Sequence, residues 1–158
     1  MSADEEIIPV SKNYHKNYSF RVVTSHVSNF EFFKSSSFCP IYFDELKHVA
    51  CNYPIVFIKN SKNEFNCASL FSLLKDQNPF INGNNNWTGE YIPAFFRIHP
   101  FLLATAEGRK DKILCFNSLK SLIKSNFNDG FFPFFDKNGN LSDELNGILQ
   151  MLQIIDKN

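Results

Sequence analysis

Four cysteines and four histidines are the side chains of this chain best suited to act as nucleophiles, general bases or metal ligands. Cys39, Cys51, Cys67 and Cys115 are widely and irregularly spaced, with no CxxC pair, so they outline neither a zinc site nor a disulfide framework. His48 and Cys51 stand three apart, which would place both on one side of a helix. Two ligands do not complete a zinc site, and a packed cysteine beside a partly exposed histidine is the plainer reading. A thiol and an imidazole that meet only in space would make a small cysteine-dependent hydrolase or transferase, and this alternative stays open. "DKNGNLSDE" (136–144) resembles a calcium loop in Asp136, Asn138 and Asn140, but Leu141 and Gly147 fall where the loop needs Gly and Glu. Asn138-Gly139 is instead expected to form a tight turn, with Ser142 capping a helix. No GxSxG, P-loop or GxGxxG occurs, so the residues assign no catalytic group, no metal and no cofactor.

Recognition chemistry is concentrated elsewhere. "NNNWTGEYIPAFFRIHPFLLA" (84–104) holds the only Trp and one of three Arg. A helix over 90–99 would carry Pro93 in its first turn and stop at Pro100. Tyr91, Phe95 and Ile98 would then share one face and bury against a hairpin over 54–74. Two readings follow. In one, this is a helix packed on a hairpin, with Arg97 reaching solvent between apolar turns. In the other, Trp87, Gly89, Tyr91 and Arg97 make an aromatic-rimmed surface whose guanidinium contacts an anion or carboxylate.

The elements that must position these residues follow from periodicity and turn chemistry. "SFRVVT" (19–24) reads as a strand, and 30–43 as a second extended stretch after a Ser break. "DELKHVACN" (44–52) reads as a short helix stopped before Pro54. "PIVFIK" (54–59), the polar turn 60–63 and residues 65–74 form a hairpin. Residues 76–86 are a polar loop. A second hairpin joins 101–105 to 113–116 across 107–111. A last helix over 142–155 has one apolar stripe of Leu145, Ile148, Leu149, Leu152 and Ile155. Interspersed helices and hairpin-paired strands predict an α+β fold: an antiparallel sheet built from hairpins, short helices packed on it, and a C-terminal amphipathic helix.

With 158 residues the chain is the size of one domain, expected over 18–158 after a flexible arm at 1–17. Formal charge is zero, from 16 basic and 16 acidic residues, which leaves no basic excess for nucleic acid or an anionic membrane. The N-terminus is acidic and lacks an apolar h-region, and no segment approaches the ~18 apolar residues of a spanning helix. A cytoplasmic protein without a transmembrane segment is expected. The 19 Phe are partly compositional, since Lys, Asn and Phe are all abundant and share A/T-rich codons.

Four stretches resemble one known family. They are "NYPIVFIKN" (52–60), "WTGEYIPAFFRIHPFLLA" (87–104), "LCF" (114–116) and "FFDKNGNLSDELNGILQMLQ" (134–153). Together with the opening "PVSKNYHKNYSFR", they are similar to the SapC family of bacterial surface-layer-associated proteins, from about Val10 to Gln153. The long W…Y-P…R…P-F spacing is the most specific part of the likeness. Typical members are longer, with a further C-terminal segment, so the likeness is to the family's N-terminal region. The resemblance carries over Trp87, Gly89, Tyr91, Pro93, Arg97, Pro100 and Phe101 as a fold signature and candidate surface, and it supplies no catalytic residue. It implies a non-catalytic accessory or binding protein linked to export or assembly of surface-layer or other outer-surface proteins. The implied partner is a protein client or a secretion component, with self-association left open.

Overall fold

A computed structural model describes residues 6–23, 30–61, 63–105, 108, 111–118 and 122–157. The chain divides into two compact units, one of Met1–Val22 with Ile98–Asn158 and the other of Val23–Arg97. The fold is α+β, with antiparallel three-stranded sheets, short helices and a long C-terminal helix.

In the discontinuous unit, β1 (Ile7–Pro9) leads to a one-turn helix α1 (Lys12–His15) and a two-residue strand β2 (Ser19–Phe20). Residues 7–9 lie in the segment expected as an arm, yet β1 pairs antiparallel with the strand that holds Cys115 and Phe116. His15, 6% exposed, anchors the same segment with its ring edge-on to Phe116 at 5.2 Å. The strand expected over 19–24 is shorter, and Thr24 lies outside the described residues.

In Val23–Arg97, a 3₁₀ turn at Glu31–Phe33 precedes β3 (Phe38–Pro40), and a second turn at Phe43–Glu45 runs into α2 (Leu46–Ala50). The extended stretch expected over 30–43 is therefore a strand between two turns. β4 (Ile55–Lys59) and β5 (Phe65–Leu70) form the expected hairpin, from Ile55 opposite Ser69 to Lys59 opposite Phe65. Asn63 takes the turn's positive φ of 71°, a conformation Asn tolerates better than most residues. Sheet order is β3-β5-β4. Phe30, Phe33, Tyr53, Phe71, Trp87 and Phe96, each at most 7% exposed, fill this unit's core. Their rings meet mostly edge-to-face or tilted, as the aromatic quadrupole favours, with Phe33 stacked on Phe96 at 4.0 Å. One short helix, α3 (Ala94–Arg97), ends this unit.

The chain then returns to the first unit. β6 (Phe101–Thr105) and β7 (Lys112–Asn117) make the second expected hairpin, whose turn residues 107, 109 and 110 lie outside the described residues. The short strands β8 (Ile123–Lys124) and β9 (Phe132–Pro133) flank β2. α4 (Asp143–Lys157) lays Leu145, Ile148 and Leu152 against Phe20, Ile98, Phe101, Phe116 and Phe134. Ser142 caps it, its Oγ accepting from the Leu145 N–H at 3.3 Å. Upstream, the Asp136 carboxylate is spent on the turn, accepting the N–H groups of Asn138 and Asn140 at 2.8 Å. Gly139 there holds φ +80°, and those hydrogen bonds keep the Asp136 pKa below its usual range.

Candidate functional site

The helix expected over 90–99 is one turn long, for identifiable reasons. Ile92 precedes a proline and is kept out of the α region. The Tyr91 carbonyl is already taken, accepting from the Tyr53 hydroxyl and from Trp87 Nε1 at 3.1 Å. Helical bonding therefore begins at Pro93, whose carbonyl accepts from Phe96 N at 2.9 Å and Arg97 N at 3.2 Å. Pro100 follows His99 through a cis peptide bond and donates nothing.

That shortening moves the buried face. Ala94 and Phe96 are buried, Phe96 at 1% exposure, while Phe95 is 38% exposed. Phe95 is therefore not a residue buried on the hairpin. Ile98 is buried as expected, but in the core of the other unit. Trp87, at 5% exposure, lies among Phe30, Tyr53, Phe71, Phe80 and Phe96 and offers no rim. Gly89 is required by close approach. A Cβ there would stand 2.3 Å from the Tyr53 hydroxyl oxygen and 2.9 Å from Trp87 Nε1. Of the candidate surface residues, Trp87 and Gly89 thus belong to the aromatic packing of this unit, and Tyr91 and Arg97 keep polar chemistry.

Tyr91 and Arg97 are organised by Glu45, a residue that no sequence motif singles out. Glu45 is a carboxylate only 6% exposed. Its Oε2 accepts from the Ala94 N–H at 2.7 Å and from the Tyr91 hydroxyl at 2.9 Å. Its Oε1 accepts from the Tyr42 N–H at 3.1 Å. One carboxylate thereby ties the turn before α2 to the start of α3. The Tyr91 oxygen in turn accepts from Arg97 Nη2 at 3.2 Å, and the guanidinium carbon lies 5.6 Å from the Tyr91 ring centre. His48 stacks on the same ring at 5.7 Å and 14°. Burial, reinforced by the Glu45 hydrogen bond, pushes the Tyr91 hydroxyl up to about 12, so it remains a phenol at neutral pH.

Arg97 is half-buried and has no carboxylate within ion-pair distance among the described residues. Its Nε is buried without a hydrogen-bond partner. The guanidinium is thus fixed by a phenol and an aromatic face. That chemistry suits an anion or carboxylate contact.

The thiols look less like nucleophiles. Cys39 is fully buried, and burial together with the Glu45 charge raises it well above its ordinary value. Burial raises Cys115 as well. Cys51 is exposed and Cys67 half-buried. Burial also lowers His15 and pushes His99 down to about 4, which disfavours both as bases. His26 lies outside the described residues. Among those residues no three His, Cys, Asp or Glu gather as a metal site.

The stretch from Trp87 to Phe101 is where the likeness noted above is most specific, and the likeness extends along the chain. The SapC family profile matches residues 10–158. This chain belongs to the SapC family. No curated protein and no solved structure matches it. In this SapC protein Trp87, Gly89, Pro93 and Pro100 are explained by packing and backbone geometry, whereas Arg97 is not explained by an ion pair. Glu45 and Phe96 gave no local signal. Two of the three partners of Glu45 lie 46 and 49 positions away, and Phe96 differs from Phe95 only in helical phase.

Proposed function

We propose that this SapC protein is a non-catalytic accessory or binding protein that works in the cytoplasm on export or assembly of surface-layer or other outer-surface proteins. Its partner is a protein client or a secretion component, and the contact is made by Arg97 on the Tyr91 ring. One observation carries the reading: a half-buried guanidinium, positioned by Tyr91 and with no carboxylate of its own among the described residues. Side chains held in place before binding lose less entropy on association, which favours a contact role for Arg97 over a flexible surface lysine. Family membership and four free cysteines, which suit a reducing compartment, support the setting. No helix among the described residues is long and apolar enough to cross a membrane.

Affinity capture from producing cells, followed by titration of the purified client, tests the proposal. Affinity should fall from wild type through Tyr91→Phe to Arg97→Ala, or to the same level in both variants, since Tyr91→Phe removes only the oxygen that holds the guanidinium. Recovery of no client, or of one bound equally by all three proteins, would refute it.

A further inference from the structure

The β4 edge is built for pairing. Among the described residues, β4 is paired with β5 alone. The Leu70 N–H donates to the Pro54 carbonyl at 2.9 Å and the Asn60 N–H to the Glu64 carbonyl at 2.8 Å. These two bonds fix the alternation of the ladder: Val56 and Ile58 face β5, and the N–H and C=O groups of Ile55, Phe57 and Lys59 point away from it. The strand reads Ile-Val-Phe-Ile-Lys, and Phe57 at its centre is 71% exposed. Phe65, on the same sheet face through its pairing with Lys59, is 66% exposed. Free edges are normally blunted by charge, proline, bulges or cover, and here the only charge is Lys59 at one end.

We infer that β4 pairs with β4 of a second copy of this chain, antiparallel about a twofold axis at Phe57. The edge is self-complementary in that register. Phe57 exchanges both backbone hydrogen bonds with its symmetry mate, and Ile55 of each copy does so with Lys59 of the other. All three outward-facing residues are then satisfied. The charges agree: each Lys59 falls beside an isoleucine, not beside the other lysine, and its ammonium already lies over the Phe65 ring at 5.7 Å. A client strand would satisfy the same backbone groups, but the placement of charge at one end and of exposed Phe57 at the centre, which lets two copies meet ring to ring without a like-charge contact, favours a second copy. Sheet order becomes β3-β5-β4-β4-β5-β3 across the dimer. A five-residue ribbon is small beside the ~1,200 Å² of ordinary stable interfaces, so the dimer is concentration-dependent.

Sedimentation velocity from low to high micromolar protein, with amide exchange measured at each end, tests the inference. The wild-type sedimentation coefficient should rise toward that of a dimer. The Ile55, Phe57 and Lys59 amides should gain protection with concentration, while Val56 and Ile58 are protected throughout by β5. Phe57→Lys sets like charges side by side, and Phe57→Pro deletes a donor that β5 does not use. Both variants should stay monomeric with an unchanged circular dichroism spectrum. A wild type that remains monomeric at high micromolar concentration would overturn the proposal. So would a dimer that leaves the three amides unprotected, one that survives both substitutions, or an edge protected only when an extended client peptide is added.

Discussion

At the residue scale, the decisive fact is which aromatic of the Phe95-Phe96 pair is inside. Phe96 packs against Phe33, Phe71 and Trp87 and is 1% exposed. Phe96→Ala should cost about 3–5 kcal/mol in a denaturant melt, and Phe95→Ala less than about 1 kcal/mol. The proline positions of this stretch could be read from the chain, because a proline acts on its own neighbours. The phase could not, because it depends on a carbonyl captured by Tyr53 and Trp87. The cysteines make a second residue-scale prediction. Iodoacetamide applied to the folded protein at mildly acidic pH should leave Cys39 and Cys115 unmodified until denaturant is added, and should reach the exposed Cys51 first. Rapid modification of Cys39 would restore the thiol-enzyme reading.

At the element scale, Glu45 joins two elements that are each too short to persist alone. Glu45→Ala would strand the Tyr91 hydroxyl and the N–H groups of Ala94 and Tyr42, at a cost on the order of 3 kcal/mol. A melt within about 0.5 kcal/mol of wild type would show that water replaces the carboxylate. Alkaline pH probes the same junction. The Tyr91 phenol is raised in the folded state from an ordinary value of 10.0 to about 12. Its contribution is fully present below pH 10 and is lost as pH rises toward 12, because the unfolded phenol ionises first. The stability of wild type relative to Tyr91→Phe should therefore fall across that window, and a difference constant with pH would contradict the assignment. Both long hairpins and α4 were legible in the sequence, since period and turn residues are local signals. The 3₁₀ turns and the brevity of α3 were not, since distant hydrogen bonds set them.

At the scale of the whole molecule, sheets of three antiparallel strands and a capped C-terminal helix give the α+β SapC fold. The only Trp sits in the Val23–Arg97 unit, so its fluorescence reports that unit's aromatic core. The candidate surface was half legible. Arg97 and Tyr91 could be singled out as polar groups in an aromatic block, whereas the burial of Trp87 follows from rings far along the chain. In the function proposed above, Arg97 is held in place by Tyr91 for a partner and adds little to the fold itself. Paired denaturant melts and client titrations of Arg97→Ala, with Phe96→Ala as the reference for a core loss, test it most directly. Arg97→Ala should lose less than about 1 kcal/mol in stability and clearly lose client affinity. A stability loss as large as that of Phe96→Ala, or undiminished client binding, would contradict it.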